Sequence, residues 1–115
     1  MDDPRALKLF KELLSKTIAG RLGWESTASE YEYIAALPGG LTVAVYEERM
    51  GTGEVPHTIA HAMVLRGPEG DLLTISADTD GVWPSEIDKL YELAKRQALH
   101  LDVKVDKLLG ELAKM

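Results

Sequence analysis

The chain has 115 residues, of which 45% are hydrophobic and 28% are charged, and its formal net charge is −6. This length predicts a single domain over residues 1–115, and this composition is typical of a soluble globular protein. A disordered or fibrous chain is excluded, and no apolar run approaches the roughly 18 residues that a membrane-spanning helix needs.

Cysteine content and charge narrow the range of functions. The chain has no cysteine, which excludes disulfides, thiolate catalysis and cysteine-ligated zinc. Acidic residues concentrate in segments 25–54 and 66–88, whereas both ends of the chain are mildly basic. Because phosphate repels a negative protein, this balance opposes nucleic acid as a partner. The first residues carry no export signal, which predicts a cytoplasmic protein.

One helix is predicted before any strand. Asp3 followed by Pro4 is a typical helix start, and Gly20 marks the end of the helix. Between them, apolar residues recur on one arc at helical spacing: Leu7, Phe10, Leu13, Leu14 and Ile18. Segment 23–29 is predicted to be a connector, with Trp24 packed against the core.

From Tyr31 the hydrophobic alternation has a period of two, which indicates strands. Two hairpins are predicted, each consisting of a strand, a tight turn and a strand. The first covers 31–48 with its turn at 38–40, and the second covers 57–78 with its turn at 67–70. The loop from Met50 to Pro56 joins the two hairpins.

Two helices are predicted after the sheet. Ser85 and Asp88 resemble a capping box, and apolar residues continue at helical spacing from Ile87 onwards. Asp102 is predicted to cap a shorter last helix, whose apolar residues are Val105, Leu108, Leu109 and Leu112. The order α-β-β-β-β-α-α predicts an α+β fold with a four-stranded antiparallel sheet from two hairpins, one N-terminal helix and two C-terminal helices.

The turns also predict which side chains share a face of the sheet. Leu37 opposite Leu41 sets the first hairpin, and Arg66 opposite Asp71 sets the second. The face away from the core then carries an apolar set: Ile34, Tyr46, Ile59, His61, Met63, Leu65 and Leu72. Such a face needs a cover, which is either the protein's own helices or a second copy in a two-fold interface. We favour the second copy, so Met63→Asp is expected to disrupt self-association and leave the fold intact.

No motif for an enzyme or a cofactor is present. His57 and His61 are about 13 Å apart on a strand, which is too far for one shared metal ion. Segment 76–81 resembles half of a calcium loop, but the acid required at the twelfth position is replaced by Ile87. The predicted register pairs His61 with Ser76 but places no acid to orient the histidine. No catalytic, cofactor-binding or metal-binding residue is therefore predicted.

The C-terminal segments resemble the ending of a group of small bacterial proteins of unknown function. The resemblance covers 87–99, which is Ile-Asp-Lys-Leu-Tyr-Glu-Leu-Ala-Lys-Arg-Gln-Ala-Leu, and 105–109, which is Val-Asp-Lys-Leu-Leu. In that group a tryptophan-containing connector and short strands precede a helix of the form Leu-Tyr-Glu-Leu-Ala-Lys/Arg-Arg-x-Ala-Leu. The resemblance implies a prokaryotic cytoplasmic protein and assigns no functional residue.

Three functions are compatible with these features. The favoured one is a non-enzymatic protein-interaction or regulatory module, homodimeric through the apolar sheet face and without a cofactor. The first alternative is a small hydrolase or ligand-binding domain that uses the loop from Met50 to Pro56 and His61. The second is weak nucleic-acid binding through basic residues of the C-terminal helices, namely Lys89, Lys95, Arg96, Lys104 and Lys107. Interleaved acidic residues oppose this second alternative.

Overall fold

Helices cover one face of an antiparallel sheet in the computed structural model, which describes residues 4–50, 58–77, 79 and 81–115. The elements are α1 (Pro4–Ile18), β1 (Trp24–Ser26), β2 (Glu32–Ala36), a 3-10 turn (Pro38–Gly40), β3 (Thr42–Met50), β4 (Thr58–Gly67), β5 (Gly70–Ser76), α2 (Pro84–Ala98) and α3 (Leu101–Ala113). The strands lie in the order β1-β2-β3-β4-β5. The predicted α+β fold with its three helices is confirmed, but the sheet has five strands instead of four.

The additional strand, β1, lies in the segment predicted to be a connector. Trp24 of β1 pairs with Ala35 of β2, and its indole ring is buried as predicted. Three residues are too few to display a period of two, so hydrophobic alternation could not identify this strand.

The indole of Trp24 is held by a buried polar residue of α1. The indole N–H donates to Thr17 Oγ1 at 3.1 Å, and the Thr17 hydroxyl donates to the carbonyl oxygen of Leu13 at 2.8 Å. The side-chain amide of Gln97 in α2 donates to the carbonyl oxygen of Thr17 at 2.8 Å. Thr17 therefore occupies the inner side of α1, whereas Ile18, which the helical spacing grouped with Phe10 and Leu13, is more than half exposed.

The first hairpin has the predicted register. Tyr33 pairs with Val45, and Ile34 pairs with Ala44. The Leu37 N–H donates to the Leu41 carbonyl oxygen at 2.8 Å, which closes the turn.

The second hairpin contains a β-bulge that the sequence did not predict. Arg66 pairs with Asp71 as expected, but Leu65 pairs with Leu73, so Leu72 is an extra residue on β5. One extra residue reverses the faces of everything beyond it, because side chains alternate along a strand. Met63 consequently faces the helices and pairs with Ile75, whereas the prediction paired it with Thr74 on the opposite face.

The core lies between the sheet and the helices α1 and α2. Both central strands contribute to it, since Val45 of β3 pairs with Met63 of β4 beneath α2. Ala94 and Ala98 on α2 are buried against this layer, and small side chains allow a helix to approach a sheet closely. No helix in the described part of the chain is long and apolar enough to cross a membrane.

The two C-terminal helices begin earlier than predicted. Pro84 is the first residue of α2, and the carboxylate of Glu86, rather than of Asp88, accepts from the backbone N–H of Trp83 at 3.3 Å. Glu86 also pairs with Lys11 of α1, whose ammonium group lowers the pKa of the Glu86 carboxyl. The Ser85–Asp88 capping box is therefore wrong, and Asp88 is available for another contact.

The junction of α2 and α3 is a sharp turn. His100 adopts a left-handed backbone conformation with φ of 52° and precedes Leu101, the first residue of α3. Asp102 lies in the first turn, where its carboxylate accepts from Arg96 of α2 at 3.0 Å, instead of capping the helix as predicted.

The observed register gives a direct test at Met63, whose side chain is 0% exposed. We expect Met63→Ala to lower the free energy of unfolding by about 2–5 kcal/mol, because it leaves a cavity in the core. Met63→Asp should prevent folding, since it buries an unpaired charge. Leu72→Ala is the control, because Leu72 is 58% exposed at the bulge, and it should cost about 0.5 kcal/mol or less. Urea denaturation of the variants measures these differences, and equal losses in the two alanine variants would contradict the bulge.

Candidate functional site

The residues predicted to form the interface do not lie on one surface. His61, Met63 and Leu65 face the helices, because they pair with the core-facing side of β3, and the bulge turns Leu73 and Ile75 of β5 to the same face. Met63 is enclosed by the core and cannot contact a second molecule in the folded protein. The predicted dimer interface is therefore wrong for His61, Met63 and Leu65.

The remaining predicted interface residues are dispersed. Ile34 and Tyr46 are partly buried on the sheet face opposite the helices, as expected. Leu72 is exposed at the bulge, and the side chain of Ile59 lies outside the described residues. Among the predicted interface residues whose side chains are described, only Ile34 and Tyr46 are thus placed together on the expected face.

The sheet face opposite the helices is nevertheless apolar at its centre. Ala44, Ala62 and Val64 are buried there, although none belongs to the core beneath α1 and α2. Their cross-strand partners include Ile34, beside Ala44, and Tyr46, beside Ala62. We call these five residues the open sheet face. Ala62 and Val64 were expected in the core, so their position also corrects the prediction.

Charged residues border the open sheet face. Arg66 contacts two of them, with Asp71 at 3.0 Å and Glu32 at 3.6 Å. Beside these residues lies a shallow cavity of about 290 Å³, also lined by Tyr46. Burial, followed by the negative charge of Glu48, raises the pKa of the Tyr46 hydroxyl, which keeps this side chain neutral. The border carries more acidic than basic groups.

A second apolar surface lies on α3. This helix packs against α2, and none of its residues is buried. Large apolar side chains on it are more than half exposed: Val103, Val105, Leu108, Leu109, Leu112 and, just after the helix, Met115. The sequence identified most of these residues as a helical stripe but gave no indication that the stripe faces away from the core.

The most concentrated group of polar contacts surrounds His61. Its Nδ1 lies 2.6 Å from Asp88 Oδ1, and its Nε2 lies 3.1 Å from Glu47 Oε1. The imidazole stacks on the ring of Tyr91, with a centroid distance of 4.2 Å and an angle of 17°. Tyr91 in turn meets Tyr33 edge to face. Burial, followed by the charge of Glu47, raises the pKa of Tyr91 well above its usual range.

This arrangement limits what His61 can do chemically. Each ring nitrogen of His61 already has a carboxylate oxygen within hydrogen-bonding distance. A general base or a metal ligand needs a ring nitrogen that is open to the substrate or the ion, and neither nitrogen of His61 is open in this way. Ser76, which the predicted register placed beside His61, pairs with Ala62 on the opposite face. His61 therefore ties β3 and β4 to α2, and the His61–Ser76 pair is contradicted.

Neither carboxylate was predicted to contact His61 from the sequence. Glu47 and His61 are cross-strand neighbours in the β3–β4 pair, whose register depends on the connection after Met50 and was not predicted. Asp88 was assigned to capping. The signal that could have found it is its spacing from Tyr91, because residues three apart lie on the same side of a helix.

Metal binding is not supported by the described residues, among which no group of three suitable side chains could hold an ion. Comparison of the chain with protein-family models, curated proteins and solved structures finds no match in any of the three. The resemblance of 87–99 to small bacterial proteins therefore stays a prediction.

Substitution of His61 tests its structural role, since its side chain is only 10% exposed. We expect His61→Ala to lower the free energy of unfolding by about 2–4 kcal/mol, because it removes the stacked ring and its contacts with Glu47 and Asp88. Asp88→Asn should cost about 1 kcal/mol or less, because Asp88 is more than half exposed. Chemical denaturation measures both values. If His61→Ala lowered the free energy of unfolding no more than Asp88→Asn does, the imidazole ring would not contribute substantially to stability.

Proposed function

We propose that this protein is a non-enzymatic interaction module that works as a homodimer and binds another protein. The carrying observation is the set of exposed apolar side chains on α3, including Leu108, Leu109 and Leu112. Contiguous apolar surface on a small protein marks a contact site for another molecule. We assign self-association to α3 instead of the sheet.

On the open sheet face Ala44, Ala62 and Val64 are buried, so we propose its partly exposed side chains, Ile34 and Tyr46, as the contact for the protein partner. These two side chains are flanked by Glu32, Glu48 and Asp71, with Arg66 as the basic group among them. Opposite charges across an interface favour encounter and orientation. The expected partner therefore presents an apolar side chain flanked by basic residues. A regulatory role and a cytoplasmic location stay predictions.

The enzyme or ligand-binding alternative has less support. His61 has both nitrogens directed at carboxylates, and residues 51–56 of the predicted loop lie outside the described residues. A substrate or ligand that raised the Tm in a broad thermal screen would favour this alternative over an interaction module.

Nucleic-acid binding through the C-terminal helices is also less well supported. Of the basic residues considered, Arg96 is paired with Asp102. Asp106 and Glu111 interleave with Lys104 and Lys107 on α3, so no stripe of one sign forms. Retention on DNA that falls steeply with salt concentration would favour this alternative.

Sedimentation equilibrium tests the proposed homodimer. The unmodified protein should have a mass above that of the 12.6 kDa monomer at high micromolar concentration. Leu108→Glu should shift it to the monomer, because it places a charge within the apolar surface. Val103→Glu is the matched control, since Val103 is 67% exposed but lies five residues from Leu108, on the opposite side of the helix. A monomeric unmodified protein would contradict the proposal.

A further inference from the structure

The apolar residues of α3 follow the spacing of a coiled-coil seam. Intervals of four and three residues alternate along Leu101, Val105, Leu108, Leu112 and Met115. This is a heptad pattern with Val105 and Leu112 at position a and the other three at position d. An isolated helix on the surface of a core does not need so strict a period.

The residues beside the seam indicate how a second helix would lie. Lys104 and Glu111 are seven residues apart and share heptad position g, next to the seam, with opposite charges. The two e positions carry Asp102 and Leu109, and Asp102 already pairs with Arg96 of its own chain. Lys104 and Glu111 are thus the charged residues beside the seam that can determine whether two α3 helices pair parallel or antiparallel.

Antiparallel pairing with a second α3 makes these charges complementary. If Val105 packs against Leu108 of the partner subunit, the two-fold axis also places Leu101 against Leu112 of the partner subunit. Position g then faces position g, so Lys104 meets Glu111 of the partner subunit, and the symmetry gives this pair twice. In a parallel dimer position g faces position e, and Lys104 would meet Leu109 of the partner subunit, with no ion pair.

We propose that α3 pairs antiparallel with α3 of a second copy, through the heptad seam and two symmetric Lys104–Glu111 ion pairs. This inference rests on the proposed homodimer and specifies its interface. Two heptads form a small interface, below the roughly 1,200 Å² that marks the lower limit of stable complexes. The expected dissociation constant is therefore micromolar, and the dimer exchanges subunits readily.

Charge reversal distinguishes antiparallel pairing from every other dimer. Lys104→Glu alone and Glu111→Lys alone should each weaken self-association, on the order of tenfold, because both symmetric pairs become repulsive. A mixture of the two variants should recover the affinity of the unmodified protein, because each mixed dimer again has two attractive pairs. Sedimentation equilibrium of each variant and of the mixture measures this recovery.

Two controls isolate the effect of position from that of net charge. Lys107→Glu and Asp106→Lys make the same changes of charge at positions c and b, on the outer side of α3. These variants should associate with the same affinity as the unmodified protein, and mixing them should not increase that affinity. Circular dichroism verifies that all four variants remain folded, as expected for exposed residues.

The outcomes separate this inference from the proposed function. A monomeric unmodified protein would overturn both. A dimer that is insensitive to Lys104→Glu and Glu111→Lys, or a mixture that fails to recover, would overturn antiparallel pairing while self-association stands. If the dimer then tolerated Leu108→Glu as well, its interface would lie elsewhere, with the open sheet face as the next surface to test.

Discussion

The bulge between Leu65 and Arg66 is the constraint on which the rest of this structure depends. The additional residue, Leu72, sits in β5 and allows the turn to keep Arg66 opposite Asp71 while the strands beyond it shift by one position. Met63 and Ile75 thereby meet beneath the helices, and His61 points the same way. Ala62 and Val64 are directed to the opposite face. The position of the core on β4 and β5 and that of the open sheet face therefore follow from one local irregularity.

The His61 contacts illustrate how this constraint extends beyond the hairpin. With β4 in the observed orientation, the imidazole lies between Glu47 of β3 and Asp88 of α2 and stacks on Tyr91. These contacts connect the centre of the sheet to the helix that covers it. A polar group of this kind resembles a catalytic centre by composition, but the two carboxylates occupy both ring nitrogens. The geometry around His61 fits a group that stabilises the packing of α2 on the sheet better than a reactive group.

The asymmetry between the helices supports an interaction module. Helices α1 and α2 bury their apolar sides against the sheet, whereas α3 has 13 residues and no buried side chain. A helix of this length gains most of its stability from packing of its apolar side, and in isolation it is marginal in water. Pairing with a second copy would supply that packing. Ile34 and Tyr46 on the open sheet face would remain accessible to a different protein.

The sequence by itself determined the features that depend on neighbours in the chain. The helices, the register of the Ile34–Ala44 hairpin and the burial of Trp24 follow from local periodicity and turn chemistry. Only the tertiary structure decided β1, the bulge and the Glu47–His61–Asp88 contacts, because these depend on strands and helices that are distant in sequence. The same holds for the apolar residues of α3. Their spacing predicts a helix with an apolar side, but it does not predict whether that side packs against the core.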